Sequence, residues 1–573
     1  MRDRTIAAIL SFLFGFLALG LFYNQVLRYG YYSHLSRNNS IRIIPIAGPR
    51  GNIYDRNGNL LVTSRLSFDV AVISQELRDR RRVARILNEI LGMSATEIAG
   101  AFEKADSRPY APVAVIEDIP KEKAIALEEE CADIAGLVVE TTSRRYYVHK
   151  ASGSHIFGYL SEITEDELED LREYGYRPRD LVGRNGIEKY YDAYLRGTDG
   201  GTQVEVDSRG RQMRVLGVKE PESGTDLYLT IDASLQSACD KLLGERKGAV
   251  VVMDPRTGEV LALASHPAFD PNIFVRPNTS AQRLALLDDR IGRPLSNKAL
   301  SGLYPPGSVF KIVTESGALE TKKINRATTF VCNGRYRLGR TTFDCWKPEG
   351  HGSQNAVTGM MNSCNVFFYN TGRILGVDDL EAYAKLFGFG RPTGIDLPDE
   401  VKGLVPGKEW KRANRREGWF EGETINYAIG QGYLSVTPIQ VLEMVAVMAN
   451  KGSLVRPYIV RRIGSKELHN SREKNIGLKS STVKTVREGL YEVVNGESGT
   501  GRRAKLDGVA VAGKTGTAQA PHGRTHAWFC GFAPFDDPKV CIVVLLEHGG
   551  KGGVEPAGIA RGILEEAKRG GYL

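Results

Sequence analysis

The sequence predicts an α+β protein with an N-terminal membrane-spanning helix, a mixed α/β unit, and a larger unit in which an antiparallel sheet packs with helical layers. Three observations carry this prediction. No charged residue occurs from Thr5 to Leu27. The character of the chain changes near Thr225, where short mixed elements give way to strongly apolar strands. Those strands stand at both ends of the second half with helical segments between them, the pattern of one sheet covered by helices. At 573 residues the chain is too long for one ordinary domain.

The apolar run comes first. Ile6 to Phe22 is almost wholly apolar, and at about 1.5 Å per residue some twenty residues cross a hydrocarbon core. Arg2 and Arg4 precede it, so the positive-inside rule keeps the N-terminus cytoplasmic and puts the rest outside the plasma membrane. The alternative is a cleaved signal peptide, for which Ala18-Leu19-Gly20 offers a small-x-small site. The apolar run continues past that site into Tyr23, which favours a retained single-pass anchor. A net charge of +8 is small for this length and spread along the chain, which argues against a nucleic-acid partner.

The expected division is an anchor at 1–27, a pedestal at 28–220 and a catalytic unit at 221–573. After the anchor, Arg50-Gly51-Asn52-Ile53-Tyr54-Asp55-Arg56-Asn57-Gly58 holds an Asn-Gly hairpin signal, followed by a strand at Leu60-Leu61-Val62. Residues 75–135 read as helical, and the stretch from Gly183 reads as a turn leading into a helix. In the second half, Leu227–Ile231, Gly248–Met253, Val260–Ala264, Val509–Gly516 and Val540–Leu546 read as strands.

Pro305-Pro306-Gly307-Ser308-Val309-Phe310-Lys311 is a turn that opens a helix. Ser308 and Lys311 are then i and i+3 on one face. A serine hydroxyl is a poor nucleophile until a base takes its proton, and a desolvated lysine one turn away can do so. Ser363-Cys364-Asn365 follows some fifty residues later within an apolar run, where its polar groups need internal partners. Gly513-Lys514-Thr515-Gly516-Thr517 ends an apolar strand, and glycine inside a strand marks close approach to the backbone.

Ser-x-x-Lys, Ser-x-Asn and Lys-Thr-Gly-Thr in this order resemble the penicillin-binding-protein and serine β-lactamase superfamily. Arg50-Gly51 with Asp55–Gly58, and Gly183 with Gly186 and Glu188, resemble the pedestal motifs of class B penicillin-binding proteins. Asn297-Lys298-Ala299 fits as well, so the similarity runs from the anchor to near residue 550. The segment from Cys332 to His351, the phrase Ala428–Tyr433 and the absence of further repeat modules resemble the elongation type rather than the division type.

The resemblance implies a D,D-transpeptidase that cross-links peptidoglycan stem peptides and is a target of β-lactams. It makes Ser308 the nucleophile, Lys311 its general base, Ser363 and Lys514 a proton relay, and Asn365 an orienting group. Thr515, Gly516 and Thr517 would bind the substrate carboxylate, and the Ser308 and Thr517 N–H groups would form the oxyanion hole, each such donor worth about 3 kcal/mol. Catalysis would need no cofactor. The implied partners are a SEDS-type glycan polymerase and other elongation-complex proteins in the inner membrane.

Cys332, Cys345, His351 and Cys364 form C-x12-C-x5-H-x12-C. These are good zinc ligands but lack the tight pairs of zinc ribbons. A Cys332–Cys345 disulfide and unrelated buried thiols are the alternatives. The resemblance adds that elongation-type members carry a metal-binding loop here, often with carboxylates where this chain has Cys332 and Cys345. Three thiolates and an imidazole suit zinc.

Three rival functions fit parts of the sequence, and the complete Ser308/Lys311/Ser363/Asn365/Lys514 set argues against one of them, a purely structural wall-assembly scaffold. A β-lactamase or β-lactam sensor would not need the long pedestal segment. Gly508 to Thr515 matches the P-loop pattern GxxxxGK[ST], yet Val509–Ala512 reads as strand, and Pro521 with Gly523 read as a turn where a P-loop needs a helix.

Overall fold

The computed structural model describes residues 2–32, 41–109, 112–131, 133–206, 212–468, 473–520 and 524–573. Pro521 and Gly523 lie outside the described residues. The chain forms two compact units that interleave along the sequence: residues 1–50, 64–144 and 196–224 make the first, and residues 51–63, 145–195 and 225–573 the second.

In the first unit the apolar segment forms a helix, Arg2–Phe22, that continues through a π-helical turn to Leu27. Among the described residues it is the one helix long and apolar enough to cross a membrane. Further on, Phe68 pairs with Ile119 and Val70 with Ile116 in an antiparallel ladder. Two helices follow the strand, Arg80–Leu91 and Ala95–Asp106. Asp79 caps the first, and a reciprocal Ser94–Glu97 capping box starts the second. Their apolar sides, including Val83 and Leu87, bury against Val70 and Val72. The helical reading of 75–135 needs one correction: Val113–Ile119 is a strand. Three of the four residues in its Val-Ala-Val-Ile run are β-branched, and the pairing partner at Val70 decides the conformation.

The second unit is built on a five-stranded antiparallel sheet. Its strands are β1 (Gly248–Met253), β2 (Val260–His266), β3 (Ala512–Gln519), β4 (Thr525–Ala533) and β5 (Val540–Leu546), in the order β2-β1-β5-β4-β3. Val251 pairs with Leu263 on one side and Val543 on the other, and all of β1 and β5 is buried, which is why both read as unbroken apolar runs. β3 begins three residues later than the predicted Val509. Leu506 and Val509 instead close a tight turn through Gly508, whose φ of 74° favours glycine. Lys514 pairs with Cys530 and Thr517 with Ala527. The residues after Thr515 are therefore strand rather than helix, which removes the P-loop reading.

Four helices of this unit matter below: α1 (Lys311–Glu320), α2 (Asn365–Leu375), α3 (Lys408–Arg415) and α4 (Pro438–Ala449). Every residue of α4 is buried, and its two polar side chains are partnered: Gln440 Nε2 donates to Arg391 O at 2.8 Å and Glu443 pairs with Arg391 at 3.3 Å. Thr437 caps it through a bond from Gln440 N–H, and Pro438 occupies the first turn. The two pedestal-type motif segments also meet inside this unit. Arg145 Nε lies 2.6 Å from Glu188 Oε1, and Arg145 Nη1 donates to Gly51 O at 2.6 Å. Both side chains are buried, so this charged pair is shielded from water and its geometry is strongly held.

Candidate active site

Ser308 sits in a 3₁₀ turn, Gly307–Phe310, that runs directly into α1. The turn is pinned from two sides. Gly307 N–H donates to Gly430 O at 2.9 Å. On the other side a Cβ on Gly307 would lie 2.8 Å from Thr517 O, and one on Gly516 would lie 3.0 Å from Pro306 O. The glycines of Pro-Pro-Gly-Ser and Lys-Thr-Gly-Thr thus let β3 close against the Gly307–Phe310 turn, as a strand glycine is expected to do. Among the described residues β3 is an edge strand, so its outer N–H and C=O groups have no neighbouring strand there.

Ser363 and Asn365 arrive from the start of α2. Cys364 occupies the cap position and its sulfur accepts from Phe367 N–H at 3.5 Å. Ser363 itself has φ 48°, a left-handed conformation that a serine adopts only when its surroundings impose it.

The buried ammonium of Lys311 donates to Asn365 Oδ1 at 2.7 Å and Ser363 O at 2.8 Å, and lies 3.3 Å from Ser363 Oγ. Lys514 Nζ donates to that same Ser363 Oγ at 2.9 Å and to Thr515 O at 2.7 Å. One hydroxyl therefore joins two lysines that lie about two hundred residues apart in the chain. Burial pulls Lys311 down to about 7. It pulls Lys514 well below the usual lysine range, and the Lys311 charge adds to that effect. Two cations this close in a desolvated site repel one another, so at neutral pH the pair readily gives up a proton. Thr515 Oγ1 donates to Thr500 Oγ1 at 2.9 Å, and Gly552 N–H donates to Thr517 Oγ1 at 3.4 Å. Neither Thr500 nor Gly552 was singled out from sequence. The Gly-Thr-Gly at 499–501 was the available signal.

The structure brings all four predicted metal ligands together. The sulfurs of Cys332, Cys345 and Cys364 and a ring nitrogen of His351 all lie within 4.8 Å of one another. His351 Nδ1 is 3.6 Å from Cys332 Sγ and 3.5 Å from Cys345 Sγ. A tetrahedral zinc with ordinary Zn–S and Zn–N bonds places such atoms about 3.6 Å apart, so the donor set fits. All seven cysteines are free thiols, so the disulfide alternative is not what this structure contains. Cys345 is drawn toward the thiolate by hydrogen bonds from Cys364 and His351, while Cys364 is pushed up by its bond to Cys345. His526 and Trp528 lie on β4 opposite Ala518 and Gly516, and Trp528 Nε1 donates to Pro305 O at 3.1 Å, a packing role.

Comparison with known proteins identifies the family. Residues 248–565 match the penicillin binding protein transpeptidase domain, and residues 45–229 match the penicillin-binding protein dimerisation domain. The chain belongs to the penicillin-binding-protein transpeptidase family, whose members are serine acyl transferases. Within that family it stands with the elongation-type members, penicillin-binding protein 2. It is 35% identical over 554 residues to the peptidoglycan D,D-transpeptidase MrdA of Acinetobacter baumannii, covering 93% of this chain and 82% of that one. Among solved structures, the Helicobacter pylori penicillin-binding protein PBP2, in complex with MreC, aligns with a TM-score of 0.81 at 31% identity, covering 93% of this chain and all of that one. A chain of a peptidoglycan synthase complex that coordinates polymerisation and crosslinking aligns with a TM-score of 0.77 at 31% identity, over 99% of this chain and 98% of that one.

Proposed function

We propose that the protein is an elongation-type peptidoglycan D,D-transpeptidase acting through an acyl-enzyme on Ser308. The observation that carries the residue assignment is the Ser363 hydroxyl shared by two buried lysines, one of them a single turn from Ser308. Neutral Lys311 takes the Ser308 proton as Oγ attacks the carbonyl between the two terminal D-alanines of a stem peptide. Asn365 holds Lys311 in place. The departing D-alanine amine receives a proton through Ser363 and Lys514, and the amine of a second stem peptide then takes the acyl group and regenerates Ser308. Thr515, Gly516 and Thr517 on the open edge of β3 hold the donor's carboxylate, and the N–H groups of Ser308 and Thr517 stabilise the oxyanion. A β-lactam enters the same route because its strained amide acylates Ser308.

The working division is an anchor at 1–27, a pedestal at 28–220 and a transpeptidase unit at 221–573. The apolar helix supports a single pass through the inner membrane with the catalytic unit outside. Family membership supports pairing with a SEDS-type glycan polymerase and other elongation-complex proteins. Cys332, Cys345, His351 and Cys364 hold a structural zinc that ties the Ser363–Asn365 corner to the segment after α1 and supplies no catalytic step.

Intact-mass measurement after benzylpenicillin treatment tests the central claim. One adduct, mapping to the peptide that contains Ser308, is expected; an adduct that persists in Ser308→Ala refutes it.

A further inference from the structure

The flank of the nucleophile turn carries a feature that the catalytic residues do not use. Gly430 is bonded to Gly307, and the chain then runs antiparallel to the segment before Ser308, with Val436 N–H donating to Tyr304 O at 2.9 Å. Tyr433 lies on this run, three residues from Gly430, so at most about 11 Å of chain separates it from the contact with the nucleophile turn. Ser435 bridges to Leu404, four residues before α3. The rings of Trp410 on α3 and Tyr433 meet at a centroid distance of 5.2 Å and an angle of 53°. Both are half-exposed.

Around this aromatic corner the sequence Lys408-Glu409-Trp410-Lys411-Arg412-Ala413-Asn414-Arg415-Arg416 is strongly basic. Two of its cations are already matched. Lys408 pairs with Asp378 at 2.5 Å, and buried Lys411 pairs with Glu423 at 2.6 Å. Arg412, Arg415 and Arg416 are exposed, and among the described residues none has a carboxylate within 4.0 Å. The Arg415 guanidinium instead lies over the Tyr433 ring, 5.7 Å from its centroid. Arg415 joins the two aromatic faces, and Arg412 and Arg416, exposed on the same helix and at its cap, add two guanidinium groups without a carboxylate partner among the described residues; together they suit a ligand with carboxylates and flat apolar surface.

We infer that Trp410, Tyr433, Arg412, Arg415 and Arg416 form a subsite for the acidic glycopeptide of the substrate strand, outside the pocket that accepts the reacting D-alanines. This rests on the transpeptidase reading above. The arginines bind stem-peptide carboxylates, and the aromatic corner receives the C–H face of a sugar ring. A small β-lactam carries a single carboxylate, which the transpeptidase reading places at Thr515–Thr517, so it would not span to this corner. The subsite therefore separates recognition of the natural polymer from acylation by the inhibitor.

The test uses the full-length chain in detergent with two substrates, benzylpenicillin and a purified disaccharide-pentapeptide. In a combined Arg412→Glu, Arg415→Glu and Arg416→Glu variant, KM for the disaccharide-pentapeptide should rise about tenfold or more, with kcat and the benzylpenicillin acylation rate within about twofold. Trp410→Leu should raise KM alone. Replacing the three arginines by lysine should restore part of the affinity, and added salt should weaken the wild type more than the glutamate variant. An unchanged KM in the glutamate variant overturns the subsite. Loss of benzylpenicillin acylation in that variant overturns it too, because damage would then have spread to the nucleophile turn. If wild-type Ser308 is not acylated by benzylpenicillin at all, it is the transpeptidase reading that fails.

Discussion

Replacing Gly307 by alanine tests whether the close approach of β3 to the turn that carries Ser308, the proposed nucleophile, positions that residue. Gly307 has φ 56°, where a Cβ costs about 1–2 kcal/mol. The new methyl would also stand 2.8 Å from Thr517 O and 3.1 Å from Thr517 C, both backbone atoms of β3. Ordinary contacts begin near 3.5 Å, so the turn and the strand must part by about 0.7 Å. A misplacement of about 1 Å at a reacting centre costs on the order of 100-fold in rate, which puts the expected loss at 10- to 100-fold. Gly432 supplies the control. Its φ is 81°, yet a Cβ there meets nothing within 4 Å. Gly432→Ala should therefore lose about 1 kcal/mol of stability from backbone strain alone and keep its acylation rate within about threefold. The assay is the second-order rate of labelling by a fluorescent penicillin, with thermal melting of each variant alongside. Labelling of Gly307→Ala at the wild-type rate, or equal damage from both alanines, would refute the argument.

Three further outcomes follow from the same site and its surroundings. Acylation should fall as pH drops below about 7, by up to tenfold per unit, because burial sets Lys311 near that value and only the neutral amine can take the Ser308 proton; a flat rate between pH 5.5 and 8 would remove Lys311 as the base. Glu315 on α1 is fully buried, neither carboxylate oxygen has a hydrogen-bond partner among the described residues, and burial raises it well above the usual carboxylate range. The folded state thus holds that proton more tightly than the unfolded chain, so stability is present at low pH and is lost as pH rises from the carboxylate range toward the raised value. Glu315→Leu should raise stability by about 1–3 kcal/mol, with a larger gain in melting temperature at pH 9 than at pH 6, and an equal gain at both would contradict the assignment. Metal analysis of protein purified without chelators should find about one zinc per chain, reduced in Cys345→Ser and His351→Ala together with thermal stability, whereas metal-free protein of full stability and acylation rate would end the zinc reading.

Several parts of this protein are decided by neighbours along the chain, and those were legible from the sequence. The apolar helix, the Asn-Gly hairpin at 57–58, and the bounds of Gly248–Met253 and Val540–Leu546 all came from runs and turns whose causes lie within a few residues. The motifs Ser308-x-x-Lys311, Ser363-x-Asn365 and Lys514-Thr515-Gly516-Thr517 could be recognised because each is short and continuous. Local reading failed where a distant partner outweighed local preference. Val113–Ile119 is a strand because Val70 and Phe68 pair with it, and β3 starts at Ala512 because Val509 turns back onto Leu506.

Tertiary structure alone decided what the motifs become. Lys311, Ser363 and Lys514 span about two hundred residues of chain, yet meet at one hydroxyl. The sequence identifies a lysine as a possible base but cannot state its pKa, which depends on how completely the assembled unit excludes water from it. The same holds for Cys332, Cys345, His351 and Cys364, whose spacing leaves open whether they diverge or converge, and for Glu315, which in sequence is one more helical glutamate. Composition and short-range sterics set local conformation. Burial and the electric field at a side chain are sums over the whole fold, so the chemistry of this site exists only once distant segments have closed around it.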